Sequence, residues 1–323
     1  MKPTLTAHIL THNNSNTLEA TLESLRPLHA DIWVIDHDST DDTIDVAKRH
    51  VAPGRIRRLG NAEARADARN ALVLGSSTDW HFYLEPGEVL KAGHAAVLDA
   101  TKKPPGCYRV FVSQSGLLTK PIRLWHKGAG LSFDGFAYES LFPDRKCDPL
   151  NVVVNATPDD KDDYLLTLIR RWRDAHPAAG EPYYYEAMVH LSKGRHAEFQ
   201  RQAEHFLFRS KSLNMPVVMT RYYLAWANTF VLKNANQAFA NLVVCLSVKP
   251  LHAEFWCLLG DIHYHLQHDF DKAYRFYDTA ILMGAKRKTG DEWPVELAKY
   301  ADYPKMMMTS CEAIKAQRKL ILA

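Results

Sequence analysis

A chain of 323 residues, 46% apolar and 24% charged, has enough of each kind to build real cores, and its length makes two domains the expectation. Its 40 basic and 37 acidic residues leave a formal charge of +3, too small to point to a polyanionic partner, so charge alone decides nothing about nucleic acid. The start MKPTLTAHILTHNN has no cleavable apolar stretch, and no apolar run approaches the ~20 residues that cross a bilayer, so secretion and membrane insertion are not expected.

In chain order, Leu5 to Thr11 and Ile32 to Asp36 read as the first strands. Between them Leu18, Leu22 and Leu25 fall on one helical face, with Asn16 and Glu19 spaced as a capping box. A second helix should follow Asp38 and Ser39, either of which can cap it, and run to about His50. Ile56 to Leu59 is a third strand, Ala62 to Leu74 an alanine-rich helix, and Trp80 to Leu84 a buried central strand. An acidic turn then stands at that strand's carboxyl end. Tyr108 to Ser113, Pro121 to Trp125, Phe136 to Leu141 and Asn151 to Val154 are β-like and would complete an α/β domain over residues 1–158.

From about Asp159 the β signals stop, and residues 159–323 read as an all-α helical repeat with a period in the thirties. Trp256, Leu259 and Gly260, followed by Ala273, Tyr277 and Ala280, are spaced like the packing residues of a tetratricopeptide unit, and Tyr223, Ala227 and Ala238 form a fainter copy. The runs Arg55, Arg57, Arg58 and Lys286, Arg287, Lys288 read as solvated surface. Cys107, Cys147, Cys245, Cys257 and Cys311 are odd in number, scattered and without a C-x-x-C pair, so reduced thiols in a cytoplasm are expected. His8 with His12, and His263, His265 and His268, lack the further ligands that a metal needs.

The most informative run is V-I-D-H-D-S-T-D-D-T, Val34 to Thr43, which places carboxylates after a strand and at a helix start. Such residues cap helices well, and a carboxylate at a strand's carboxyl end also suits a ligand in the crevice there. The run resembles a signature of family-two, GT-A fold glycosyltransferases, and further stretches resemble the family in the same order. These are L-T-H-N-N (Leu10 to Asn14), A-R-N-A-L (Ala68 to Leu72), W-H-F-Y-L-E-P-G-E-V-L (Trp80 to Leu90), P-I-R-L-W (Pro121 to Trp125) and F-D-G-F-A-Y-E-S-L (Phe133 to Leu141).

The resemblance implies a GT-A (Rossmann-like) nucleotide-diphospho-sugar transferase domain followed by a tetratricopeptide-like appendage of the kind found in bacterial and phage members. It implies a nucleotide-sugar donor, a uridine one among the candidates, contacted by Asn13, Asp36, Asp38, Arg69 and Glu85. Arg123 would support the diphosphate or an acceptor loop. Glu139 would be the base that deprotonates an acceptor hydroxyl in single-displacement, inverting transfer. The acceptor is open among a peptide, a glycan precursor and a modified nucleic-acid base, as is the oligomeric state.

The sequence departs from the family where a divalent ion, Mg or Mn, is normally held. The usual D-x-D becomes Glu85-Pro86-Gly87, leaving Glu85 and Glu88 as the carboxylates at hand, and Tyr138 and Asn155 replace family histidines. Basic residues in place of the ion, or a catalytically silent GT-A-like binding or scaffold protein, are the alternatives.

Overall fold

The computed structural model describes residues 5–60, 64–135, 140–141, 147–157, 162–287 and 291–322. The chain divides into two compact units, Met1–Lys161 and Asp162–Ala323.

The first unit is α/β. Its elements are β1 (Leu5–Thr11), α1 (Leu18–Leu25), β2 (Asp31–His37), α2 (Thr43–His50), β3 (Ile56–Leu59), α3 (Arg65–Gly75), β4 (Trp80–Tyr83), β5 (Glu88–Ala92), α4 (His94–Ala100), β6 (Cys107–Gln114), β7 (Leu117–Thr119), β8 (Ile122–His126), β9 (Phe133–Asp134), β10 (Ser140–Leu141) and β11 (Asp148–Ala156). The strands of the main sheet run β7-β6-β8-β4-β1-β2-β3, with β11 beside β6 and β5. β1 to β4 pair in parallel, and β8, β6 and β7 join antiparallel.

β1 is buried along its whole length because helices cover both faces of a parallel sheet. On one face Leu18, Leu22 and Leu25 of α1 pack with Val46 and Ala47 of α2 and Val97 of α4 against Ala7, Ile9, Val34 and Phe82. Each buried leucine contributes roughly 1.5–3 kcal/mol. On the other face Ala68 and Leu72 of α3 meet Leu10 and Ile35, while Ala66 and Val73 share a second cluster with Tyr83, Trp125 and Phe133.

Several local expectations need correction. The Asn16–Glu19 capping box does not form: α1 starts after Thr17 with no side-chain cap, and Glu19 instead meets His50 of α2 at 3.1 Å. α2 starts at Thr43, whose N–H is satisfied by Asp41 Oδ1 at 3.0 Å rather than by Asp38 or Ser39. Of the strand expected over Phe136 to Leu141, residues 136–139 lie outside the described residues, and Ser140–Leu141 form β10, paired antiparallel with β9. β5 was not legible, since Glu88 and Lys91 break its apolar pattern. Cys107 and Cys147, expected as separate thiols, form a disulfide across 40 residues, and the other three cysteines are buried thiols.

The second unit is all-α, with α5 (Asp162–Ala175), α6 (Glu181–Ser192), α7 (His196–Arg209), α8 (Met215–Phe230), α9 (Ala235–Val248), α10 (Ala253–Ile262), α11 (Phe270–Gly284) and α12 (Asp302–Leu322). Helices α6/α7, α8/α9 and α10/α11 are successive packed pairs whose first members begin at Glu181, Met215 and Ala253, the period read from the sequence. Arg287, expected on a solvated surface, has a side chain only 6% exposed: it lies 3.6 Å from Glu254, donates to Asp291 at 3.2 Å, and also reaches Tyr300.

At the α10/α11 contact Gly260 lies under the Tyr277 ring, and a Cβ there would stand 2.5 Å from Tyr277 Cε1. A helix-interior glycine usually costs about 1 kcal/mol relative to alanine, so its place here is steric. Gly260→Ala should lower stability by about 1–3 kcal/mol despite alanine's helical preference. Denaturant unfolding measures this, and a variant as stable as the parent would mean that the helices separate easily at this point.

Candidate functional site

The parallel half of the sheet sets Thr11 opposite Asp36 and His8 opposite Tyr83, so the segments following β1, β2 and β4 leave the same edge. Carboxyl edges of such sheets are where crevices form. The site residues read from the sequence fall into two groups there.

The first group lies on the segments after β1 and β2. The Asn13 N–H donates to Ser39 Oγ at 2.9 Å, and its side-chain carbonyl accepts from the Thr40 N–H at 2.7 Å. The Asn14 N–H donates to Thr43 Oγ1 at 2.6 Å, and the Ser15 N–H to Asp41 Oδ2 at 3.2 Å. Ser39, Asp41 and Thr43 of the signature run thus stitch the two segments together. This explains why hydroxyl and acidic residues recur there: each satisfies a backbone donor that a turn leaves unpaired. Asn13 and Asp38 both take positive φ, which Asn and Asp tolerate better than other side chains.

Asp36 is the member that local structure does not use up. It is fully buried at the end of β2, with Oδ2 accepting from the Ser39 N–H at 3.3 Å and lying 3.6 Å from Arg58 Nε. Oδ1 has no hydrogen-bond partner. A buried carboxylate oxygen without a donor is costly, and a ligand donor or an ordered water would satisfy it. Arg58, with 67% of its side chain exposed, is the neighbour that can swing aside.

The second group is built on α3, β8 and the turn after β4. Arg69 is fully buried, donates to Glu85 Oε1 at 2.7 Å, and has its guanidinium carbon 4.8 Å from the centre of the Tyr83 ring. Its Nη1 also lies 3.3 Å from His8 Nδ1. Since a guanidinium can only donate, Nδ1 is the acceptor and His8 must be neutral. Burial, then the charge of Arg69, holds the His8 pKa well below its ordinary value. His81 beside it is lowered to about 4, chiefly by burial. The next residue on α3, Asn70, exchanges two hydrogen bonds with the Phe133 backbone at 2.9 and 2.8 Å. The A-R-N run therefore anchors both the acidic turn and the start of the segment that carries Glu139.

In that turn the Glu88 N–H donates to the Glu85 carbonyl at 3.0 Å, with Pro86 and Gly87 at its centre and Gly87 at φ +86°. This is the type II arrangement that Pro-Gly favours. Glu88 points inward: Oε1 accepts from Arg123 Nη2 at 2.6 Å and Oε2 from the Glu85 N–H at 2.8 Å. Burial pushes the Glu88 pKa up against the pull of Arg123. Burial works against the charge on Arg123 as well, yet Glu88, Tyr83 and Glu85 together raise its pKa. Arg65 Nη2 lies 3.7 Å from Glu85 Oε2, and Arg123 Nη1 lies 3.9 Å from Glu85 Oε1. Arg65 was not singled out from the sequence, although its spacing four residues before Arg69 puts both on one helical face.

This donor set does not fit a divalent cation. Gly87 offers no side chain, both Glu88 oxygens are committed, and Glu85 is ringed by three guanidiniums whose charge would repel the ion. Among the described residues no group of three or more His, Cys, Asp or Glu side chains is arranged to hold a metal. Asn155 is exposed on β11, and Glu139 and Tyr138 lie outside the described residues.

Residues 6–85 match the family model described as Glycosyl transferase family 2. The N-terminal unit carries a glycosyltransferase family 2 domain. That stretch holds Asn13, Asp36, Asp38, Arg69 and Glu85 and ends at the altered turn. No curated protein matches the chain. Among solved structures, MamA 41-end from Desulfovibrio magneticus RS-1 is 14% identical with a TM-score of 0.39, covering 50% of this chain and 81% of that one. TarS 1-349 of S. aureus is 11% identical with a TM-score of 0.34, covering 96% of this chain and 91% of that one. The same protein in complex with UDP gives a TM-score of 0.33 at 11% identity, with the same two coverages.

If Glu88 balances Arg123, Glu88→Gln should destabilise the glycosyltransferase domain by about 3–5 kcal/mol, because it leaves a buried guanidinium short of its counter-charge. Thermal and denaturant unfolding measure this, and a loss below about 1 kcal/mol would place the pair among surface ion pairs instead.

Proposed function

We propose that the protein transfers a sugar from a nucleoside-diphosphate donor to an acceptor hydroxyl or related nucleophile. The observation that carries this reading is Asp36, a fully buried carboxylate at the sheet's carboxyl edge with one oxygen unpartnered, inside a segment that matches the glycosyltransferase family 2 model. On this reading Asp36 accepts hydrogen bonds from the nucleoside once Arg58 moves aside. Asn13 and the exposed Asp38 shape the crevice through the stitched segments around them. Arg69 and Glu85 stand at the diphosphate end. A uridine donor is the first to test.

The chemical step is a single displacement. The acceptor oxygen bonds to the anomeric carbon as the bond from that carbon to the diphosphate oxygen breaks, and the acceptor's proton passes to Glu139. The configuration inverts, and the nucleoside diphosphate leaves with the bonding electron pair. The role of Glu139 rests on its place in F-D-G-F-A-Y-E-S-L. The helical repeat contributes acceptor recognition, since stacked helix pairs offer extended binding surfaces. A catalytically silent binding or scaffold protein is the competing reading, favoured by Gly87 at the position of the usual second acidic residue.

Two variants test the leading reading. Sugar nucleotides should raise the melting temperature in proportion to their occupancy, and Asp36→Ala should weaken that binding roughly ten- to a hundredfold while the protein stays folded by circular dichroism. Unchanged affinity in the folded variant would remove Asp36 from the site. Glu139→Gln should lower acceptor-dependent release of nucleoside diphosphate roughly a hundredfold or more with donor affinity little changed. Binding without any release by the parent protein would favour the silent reading.

A further inference from the structure

We propose that the face made by α8 and α10 is a peptide-binding surface, held in the free chain by the protein's own residues 291–300, which an extended peptide with an aromatic side chain and a carboxylate three residues further on displaces. This surface lies within the helical unit and is independent of the sugar-transfer reading.

The connection between α11 and α12 stands apart from the others in this unit. Residues 193–195, 231–234 and 249–252 join successive helices, whereas 285–301 lie between α11 and α12. A connection of that length in a compact domain usually has a task of its own. Its described residues turn back over the first helices of two successive pairs. Tyr222 of α8 donates its hydroxyl proton to Glu296 Oε1 at 2.7 Å, and Glu254 of α10 accepts from the Glu296 N–H at 3.0 Å and from the Tyr300 hydroxyl at 2.7 Å. Just past α11, Arg287 donates to the Trp293 and Pro294 carbonyls at 2.9 and 3.3 Å. The Trp293 ring packs on the apolar cluster that holds Tyr222, with the His252 ring edge-on at 5.5 Å and Lys249 Nζ 4.7 Å from its centre.

These contacts are of two kinds. Arg287 and Glu254 grip main-chain carbonyls and an amide, which any extended chain offers, so they hold a peptide without choosing it. The seat beside Lys249 and His252 selects an aromatic ring through packing and cation–π attraction, and the Tyr222 hydroxyl selects a carboxylate. The grip is also separable. Beneath the segment Glu254, His252 and Tyr222 are buried, yet each carries a polar group that water serves once the segment lifts. Polar contact of this kind marks surfaces that part, whereas a purely apolar core holds its members. Meanwhile α12 has its own hold on α11, through Met307 and Cys311 against Phe270 and Tyr277.

The test is a fluorescence-anisotropy titration of the full-length protein with a labelled synthetic peptide of residues 291–297, D-E-W-P-V-E-L. In the parent the tethered segment, at an effective concentration on the order of millimolar, competes and keeps binding weak. Trp293→Ala combined with Glu296→Ala frees the face, so this double variant should bind the peptide at least roughly tenfold more tightly than the parent. Adding Tyr222→Phe, or using a peptide with alanine in place of its tryptophan, should take that gain away. Binding by the double variant no tighter than by the parent, or a gain that survives either change, would overturn the proposal. Should the double variant fold poorly, hydrogen exchange of the parent decides the matter: the Trp293 and Glu296 amides should exchange at least roughly tenfold faster than the amides of α8 and α10, through opening of the segment alone. Exchange of the segment together with those helices overturns it equally. Neither measurement involves a sugar nucleotide, so the result stands whatever becomes of the transfer reading.

Discussion

The first unit depends on one buried cation. Arg69 has no solvent exposure, and Glu85, the neutral His8 ring and the faces of Tyr83 and Phe133 are among the groups that make its positive charge tolerable in the core. Those partners come from β1, the end of β4, the turn beyond it and β9. A single side chain from α3 therefore ties the middle of the parallel sheet to its functional edge. The requirement runs both ways: His8 must stay neutral to accept from Arg69, and burial keeps it so. The segment joining β4 to β5 owes its position to the same charge.

Around this cation the turn after β4, which resembles the acidic D-x-D of family-two glycosyltransferases in sequence, is built on arginine contacts. Glu-Pro-Gly-Glu makes a tight turn in which the first Glu faces three arginines and the last is buried against one of them. Gly87 suits this turn because its φ of +86° is strained for any residue with a Cβ, although an added Cβ would meet only ordinary contacts, the nearest at 3.5 Å. Glycine adopts this backbone without cost, and it contributes no side chain to the turn.

The helical unit uses a comparable device with the charges reversed. Asp261 is completely buried, and its Oδ1 accepts from the hydroxyls of Tyr277 and Tyr303 at 2.8 and 2.6 Å. Gly260 lets the Tyr277 ring lie close enough for that bond. The repeat-like spacing of Gly260 and Tyr277 therefore reflects two demands, close helix approach and satisfaction of a buried carboxylate. Arg287 with Glu254 and Asp291 shows that a short basic run beside a helix end can be interior structure.

Much of the architecture was legible in the residues alone. Leu5 to Thr11 and Ile56 to Leu59 read as strands and are strands; in the first, β-branched Thr6, Ile9 and Thr11 in a short run bounded by turn residues leave few other solutions. The change from β-like runs to amphipathic helices, and the helical period, follow from the same local patterning. The resemblance was legible too: the runs around Asp36, Arg69 and Glu85 carried it, and the match to the family model covers them. Only the tertiary structure decided what these side chains face. Sequence spacing could not bring Arg65, Arg69 and Arg123 onto Glu85, pair Cys107 with Cys147, or leave Asp36 with an unpartnered oxygen, since each depends on elements far apart in the chain. Periodicity reports which face of an element is apolar. Which charge meets which, and whether water reaches it, is fixed only when the sheet order brings β1, β4, β8 and α3 together.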